Sequence, residues 1–118
     1  MCIRDSNDTY PVYGPSAVAF NGYLYAIGGE DYPTQNMVKV VEYALICTGN
    51  NNGVSGCNST AGNVGTWAAT TSLPAVSAYG NAEAYNGYMY DMGGFNSQYG
   101  NSSSVAVDYV LILSLIHI

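Results

Sequence analysis

Hydrophobic and polar positions alternate in two matching blocks. Residues 16–30 read Ser-Ala-Val-Ala-Phe-Asn-Gly-Tyr-Leu-Tyr-Ala-Ile-Gly-Gly-Glu, and residues 81–95 read Asn-Ala-Glu-Ala-Tyr-Asn-Gly-Tyr-Met-Tyr-Asp-Met-Gly-Gly-Phe; eight of the fifteen columns are identical. A period of two argues for strands, and Asn-Gly between two such runs is the strongest short hairpin signal. Each block is therefore expected to be a β-hairpin, turning at Asn21-Gly22 and Asn86-Gly87. A two-residue turn fixes the register: Phe20 opposite Tyr23, Val18 opposite Tyr25, Ala19 opposite Leu24. One face then carries Val18, Phe20, Tyr23, Tyr25 and Ile27, and the other carries Ala17, Ala19, Leu24 and Ala26. The second block repeats this, with Tyr85, Tyr88, Tyr90 and Met92 against Ala82, Ala84 and Met89. A bulky face and a small-residue face suit sheets that stack on copies of themselves.

A second match follows in the same order. Residues 40–46 (Val-Val-Glu-Tyr-Ala-Leu-Ile) align with residues 106–112 (Ala-Val-Asp-Tyr-Val-Leu-Ile), so the chain holds an internal repeat. A third strand is expected at about residues 38–46 and again at 105–112, and a fourth, carrying Trp67, at about 66–71. Between them, residues 47–65 are rich in Asn, Gly and Ser and read as a long surface loop. In an up-and-down order the Asn-Gly turns and this loop share one rim, and the loops at 30–37 and 95–104 share the other.

Composition narrows the class. Charged residues make up 8 % of the chain and the net charge is −6, with two basic residues. A nucleic-acid binder needs a basic face, as does docking on an anionic membrane, so neither is expected. The apolar tail at residues 110–118 is too short to span a bilayer. The two ends stand apart from the rest. One DNA string, ATG TGT ATA AGA GAC AG, encodes the first hexapeptide up to Ser6; its reverse complement, CTG TCT CTT ATA CAC AT, encodes Leu-Ser-Leu-Ile-His and begins an Ile codon. Residues 1–6 and 113–118 thus read as translated scars of a transposon end used in sequencing, and fold reasoning excludes them. The segment between them has no histidine and retains two cysteines, Cys47 and Cys57.

The repeat resembles a known family. A hairpin ending in Gly28-Gly29, a strand with Val40 to Tyr43, a strand with Trp67 and then Ser72-Leu73-Pro74 is similar to the kelch repeat of β-propellers, above all to tandem kelch arrays in bacterial surface proteins. Gly93-Gly94 and Val107 to Tyr109 repeat the pattern, and the likeness covers nearly all of residues 11–112. It implies an all-β fold: one four-stranded antiparallel blade at residues 7–74, with a cysteine-bearing insertion at 47–65, and most of a second blade at 75–112. Fewer than two blades cannot close a ring, so further kelch blades are the expected partners, and the segment alone is expected to aggregate or fold poorly. Many kelch copies carry an Arg before the hairpin and a His near Tyr-Gly. Here Val12, Pro15, Ala78 and Asn81 stand there, so those ligand roles do not carry over.

Candidate chemistry is sparse. Cys47 and Cys57 are spaced too widely for a redox CxxC and have no histidine beside them for zinc; a disulfide stapling the loop is expected, which implies an oxidising compartment. The hairpin register puts Glu83 and Asp91 on opposite faces, so they cannot act as a carboxylate pair. Glu83, on the innermost strand, is placed to line a central channel; repeat drift, with each acid solvated or locally hydrogen-bonded, is the plainer account. Asn50 to Gly53 lacks the carboxylates a calcium loop needs. The triplets at Asn7, Asn58 and Asn101 read as chance sequons in an Asn- and Ser-rich chain. Glu30, Asp31, Tyr32 and Tyr99 sit on loops of one rim and are candidate ligand contacts, whereas the strand tyrosines are expected to pack between sheets.

The expectation for function is a non-catalytic propeller segment, without cofactor or metal, that binds protein or glycan at a bacterial cell surface. The alternative is part of a kelch-type enzyme, galactose-oxidase-like or sialidase-like, with its catalytic residues on blades outside this segment. A structural spacer in a long surface protein is a third reading.

Overall fold

A computed structural model of the chain describes residues 12–31, 36–49, 53–57, 61–95 and 107–111. The fold is all-β. Its strands are β1 (Val12–Tyr13), β2 (Ser16–Phe20), β3 (Tyr23–Asp31), β4 (Met37–Leu45), β5 (Ala68–Ala69), β6 (Asn81–Tyr85), β7 (Tyr88–Met92) and β8 (Val107–Leu111). Every pairing is antiparallel. β1 and β2 lie end to end along one edge of β3; β4 flanks its other edge, and β5 lies outside β4. The first sheet therefore has five strands in four ranks. The second has the order β6-β7-β8.

Both hairpins have the register that the Asn-Gly turns dictate. Phe20 faces Tyr23 and Val18 faces Tyr25; Tyr85 faces Tyr88 and Glu83 faces Tyr90. Asn21 and Asn86 have φ of 53°, and the glycines after them are positive too, as a type I′ turn requires. The Ile46 N–H donates to Gly22 O at 2.8 Å, so the first turn and the start of the cysteine loop share a rim.

The fourth rank departs from expectation. Regular strand covers Ala68–Ala69 and not residues 66–71. Ladder bonds nevertheless run along β4 from the Cys47 N–H to Asn63 O, through the Thr70 N–H to Val41 O and the Leu73 N–H to Lys39 O, to the Ser77 N–H and Val38 O. The last four residues of the supposed surface loop, Gly62 to Gly65, are thus the start of this rank. Trp67 is half-buried beside it, while Leu73 enters the core. β1 was not foreseen from sequence.

The core lies between the sheets. Tyr25, Ile27 and Val41 on the bulky face of the first sheet pack with Leu73 against Ala82 and Met89 on the small-residue face of the second. Val18, Phe20, Tyr23 and Tyr43 extend one side, and Ala84 and Val110 the other. Large side chains on one surface filling the space above small ones is how two sheets reach interior density.

Candidate functional site

The repeated Gly-Gly pairs are where the sheets are joined. Gly28, at φ +64°, stands opposite the two residues Lys39 and Val40 where β4 bulges between the Ile27–Val41 and Gly29–Val38 pairs. A Cβ there would lie 2.3 Å from Ser77 O, the carbonyl to which the Gly29 N–H donates at 2.7 Å. Gly94, at φ +77°, would clash in the same way with Ala78 O at 2.4 Å. Only glycine allows the connecting segment to cross so close to the end of each hairpin.

That crossing builds a buried polar contact. The Ser16 hydroxyl donates to Asp91 Oδ1 at 2.8 Å across the two sheets, and Ser77 bonds the same carboxylate. Burial raises the Asp91 pKa above its ordinary value; the two serine bonds pull it down, and Asp108 pushes it up again. Asp108 stands directly opposite Asp91 on β8, so the carboxylates that meet are Asp91 and Asp108. They line a pocket of about 30 Å³ with Val41, Leu73, Met89 and Tyr109. That volume holds roughly two waters and no organic substrate. Through Ser16 and Ser77, Asp91 ties the second sheet to the first sheet and to the connecting segment.

A second cluster lies on the rim opposite the Asn-Gly turns. Tyr13 pairs with Glu30, and Ala78 forms a bridge with Phe95, which is the same pairing one repeat later. The next residue is left-handed in both copies: Gly14 at φ 55° and Tyr79 at φ 60°. Glycine accepts this geometry freely, and tyrosine does not. Tyr79 is held by its N–H to Gly14 O at 2.7 Å, by its ring lying over the Gly14 Cα and by an edge contact with Phe95 at 6.0 Å. Its hydroxyl donates to Glu30 Oε2 at 3.3 Å. Desolvation, then the Glu30 carboxylate, raise the Tyr79 phenol pKa above 10.0. Tyr13 and Tyr79 are each 51 % exposed.

Cys47 and Cys57 stand at disulfide distance, with Cα atoms 5.6 Å apart. Cys47 is buried, and the Gly65 N–H bonds to Leu45 O beneath the pair, so the loop is tied to the fourth rank. The remaining sequence candidates scatter. Glu30 joins the rim cluster and Asp31 pairs with Val12 beside it, whereas Glu83 is exposed on a sheet face, in the row with Tyr90 and Tyr109. Tyr43 and Tyr109 occupy matching places on the third strand of each copy, the first packed on the core and the second open. Tyr32, Tyr99, the three sequons, Asn50 and both terminal hexapeptides lie outside the described residues. Tyr13, Tyr79, Ser16 and Ser77 were missed. Extending the repeat three residues toward the N-terminus, so that Tyr13 lies over Ala78 and Gly14 over Tyr79, would have exposed the first two.

Among the described residues, no group of three or more His, Cys, Asp or Glu side chains is placed to hold a metal ion, and no helix is long and apolar enough to cross a membrane. No family model matches the chain, and no curated protein does.

Proposed function

We propose that this chain is a segment of a kelch-type β-propeller that works by binding, and that the rim of Tyr13, Glu30 and Tyr79 takes a glycan. The observation that carries the reading is the left-handed Tyr79. Its matching position is Gly14, so a tyrosine there costs stability that a glycine would recover. What the strain maintains is an aromatic ring half open to solvent beside a carboxylate. Flat aromatic surface packs on the apolar face of a sugar ring, and a carboxylate accepts from its hydroxyls. The cysteine pair supports an oxidising compartment, and with it a secreted or surface-exposed parent protein.

The test is a glycan array probed with the chain and with Tyr79→Gly. The substitution suits the backbone, so the fold should persist while saccharide binding drops at least tenfold. Undiminished binding by Tyr79→Gly, or no binding by the unmodified chain, refutes the rim as a glycan site.

A further inference from the structure

We infer that Cys57 is a thiol-acceptor site: a small thiol attacks its sulfur, forms a mixed disulfide there and so opens a clip that holds the start of the fourth rank. This is independent of what the rim binds.

The start of the fourth rank is held from both sides. On the inner side, the Cys47 N–H donates to Asn63 O at 2.7 Å, the Gly62 N–H to Cys47 O at 2.8 Å and the Gly65 N–H to Leu45 O at 2.8 Å. On the outer side, the Thr66 N–H donates to Ser55 O at 3.0 Å and Asn63 Nδ2 to Gly56 O at 3.1 Å, while the Ser55 and Thr66 hydroxyls bond at 2.8 Å. The Cys47–Cys57 disulfide joins the inner segment to the outer one. It passes beside Gly65, where a Cβ would lie 3.4 Å from Cys57 Sγ. Residues 53–56 are exposed, so the outer bonds compete with water and contribute about 1 kcal/mol each. The covalent link keeps that segment beside the strand by holding its local concentration high.

The two sulfurs are unequal. Cys47 is 2 % exposed, whereas Cys57 is half-buried beside an exposed segment. Access decides which sulfur of a disulfide a thiolate attacks, and here it favours Cys57. The incoming thiolate bonds to Cys57 Sγ, the bond between the cysteines breaks, and its electron pair leaves on Cys47 Sγ. A charge left in the interior is costly, so Cys47 takes a proton from water. Leu45 O, 3.9 Å from that sulfur, is placed to accept from the new S–H. A low-molecular-weight thiol is thus the one co-reactant. Cys47 is the resolving thiol: its return attack on Cys57 Sγ expels the small thiol and closes the clip.

Brief exposure of the 118-residue chain to glutathione tests this. After an acid quench and alkylation in denaturant, peptide mapping should find glutathione on Cys57 and the alkyl group on Cys47, with the reverse pattern at least roughly tenfold rarer. Hydrogen exchange reads the clip. The Thr66 amide, bonded to Ser55 O, should exchange roughly tenfold faster once the adduct forms, while the Leu73 amide, bonded to Lys39 O, keeps its protection. Cys47→Ser removes the link without glutathione and should give the same exchange pattern. Glutathione found chiefly on Cys47, or no adduct at any glutathione concentration, overturns the inference. So does a Thr66 amide as protected after treatment as before, or a Leu73 amide that loses its protection along with Thr66.

Discussion

The buried Tyr25 hydroxyl is the clearest energetic lever in the core. Tyr25 is fully buried between the sheets, and its hydroxyl has no hydrogen-bond partner. An unsatisfied buried hydroxyl costs about 1–3 kcal/mol, while the ring's packing on Tyr43, Ala82 and Met89 does not depend on it. Tyr25→Phe should therefore raise the unfolding free energy by about 1 kcal/mol or more, where most core substitutions lower it. The effect should grow in alkali. Burial, then the neighbouring Tyr23 and Tyr43, push the phenol up from 10.0 to about 12. An acid whose folded pKa is raised contributes stability below its unfolded value and loses it as pH climbs through the folded one. Near pH 11 the unfolded phenol is mostly ionised and the folded one mostly not, a difference worth about 1.4 kcal/mol against the wild type and absent from the phenylalanine variant. Urea unfolding followed by circular dichroism measures both. A loss of stability at neutral pH would show that the hydroxyl is paired after all, and a gap between the proteins that stays constant into alkali would show that folding does not raise its pKa.

The other expectations follow from single contacts. Gly28→Ala forces a left-handed alanine into the Ser77 carbonyl and should cost at least ~2 kcal/mol in thermal or urea unfolding; a near-neutral result would mean that the crossing segment can step aside. With its pKa raised in the fold, Asp91 contributes stability that is present in acid and lost as pH rises from 3.8 through the folded value; Asp91→Asn should remove that contribution to the slope of urea midpoints measured across the acid range. Reducing the Cys47–Cys57 pair should add two hydrogen masses to the intact chain and cost roughly 2–3 kcal/mol, most of it from freeing the closed loop in the unfolded state.

What the sequence made legible is the local part of the fold. Asn21-Gly22 and Asn86-Gly87 dictate their turns through backbone sterics alone, and alternation about a fixed turn then assigns every side chain to a face. Which face packs on which could also be read, because bulk and smallness are properties of the residues themselves. The fourth rank could not. Its bonds to β4 come from a segment without alternation, where Gly65 and Ser72 interrupt any strand pattern. Trp67 pointed to that rank, yet the core takes Leu73, three-dimensional placement overriding the more conspicuous residue.

The site was less legible for the same reason taken further. Ser16, Ser77 and Asp91 meet only because two sheets pack, and a partner 75 positions away leaves no local trace. Comparing the copies does leave one. Where they agree, the residue serves the sheet, as the alanines, tyrosines and paired glycines do. Where they differ, each copy meets a different neighbour. Ala26 against Asp91 separates a position paired with the buried Glu42 from one that bonds Ser16 across the sheets; Gly14 against Tyr79 separates a relaxed corner from a strained one that presents a ring. Val18 against Glu83 separates a covered face from an exposed one. A third copy of the sheet seated on the tyrosine face would therefore be expected to find Asn81 where Ser16 stands. It should carry an apolar residue, and not an aspartate, at the place of Asp91.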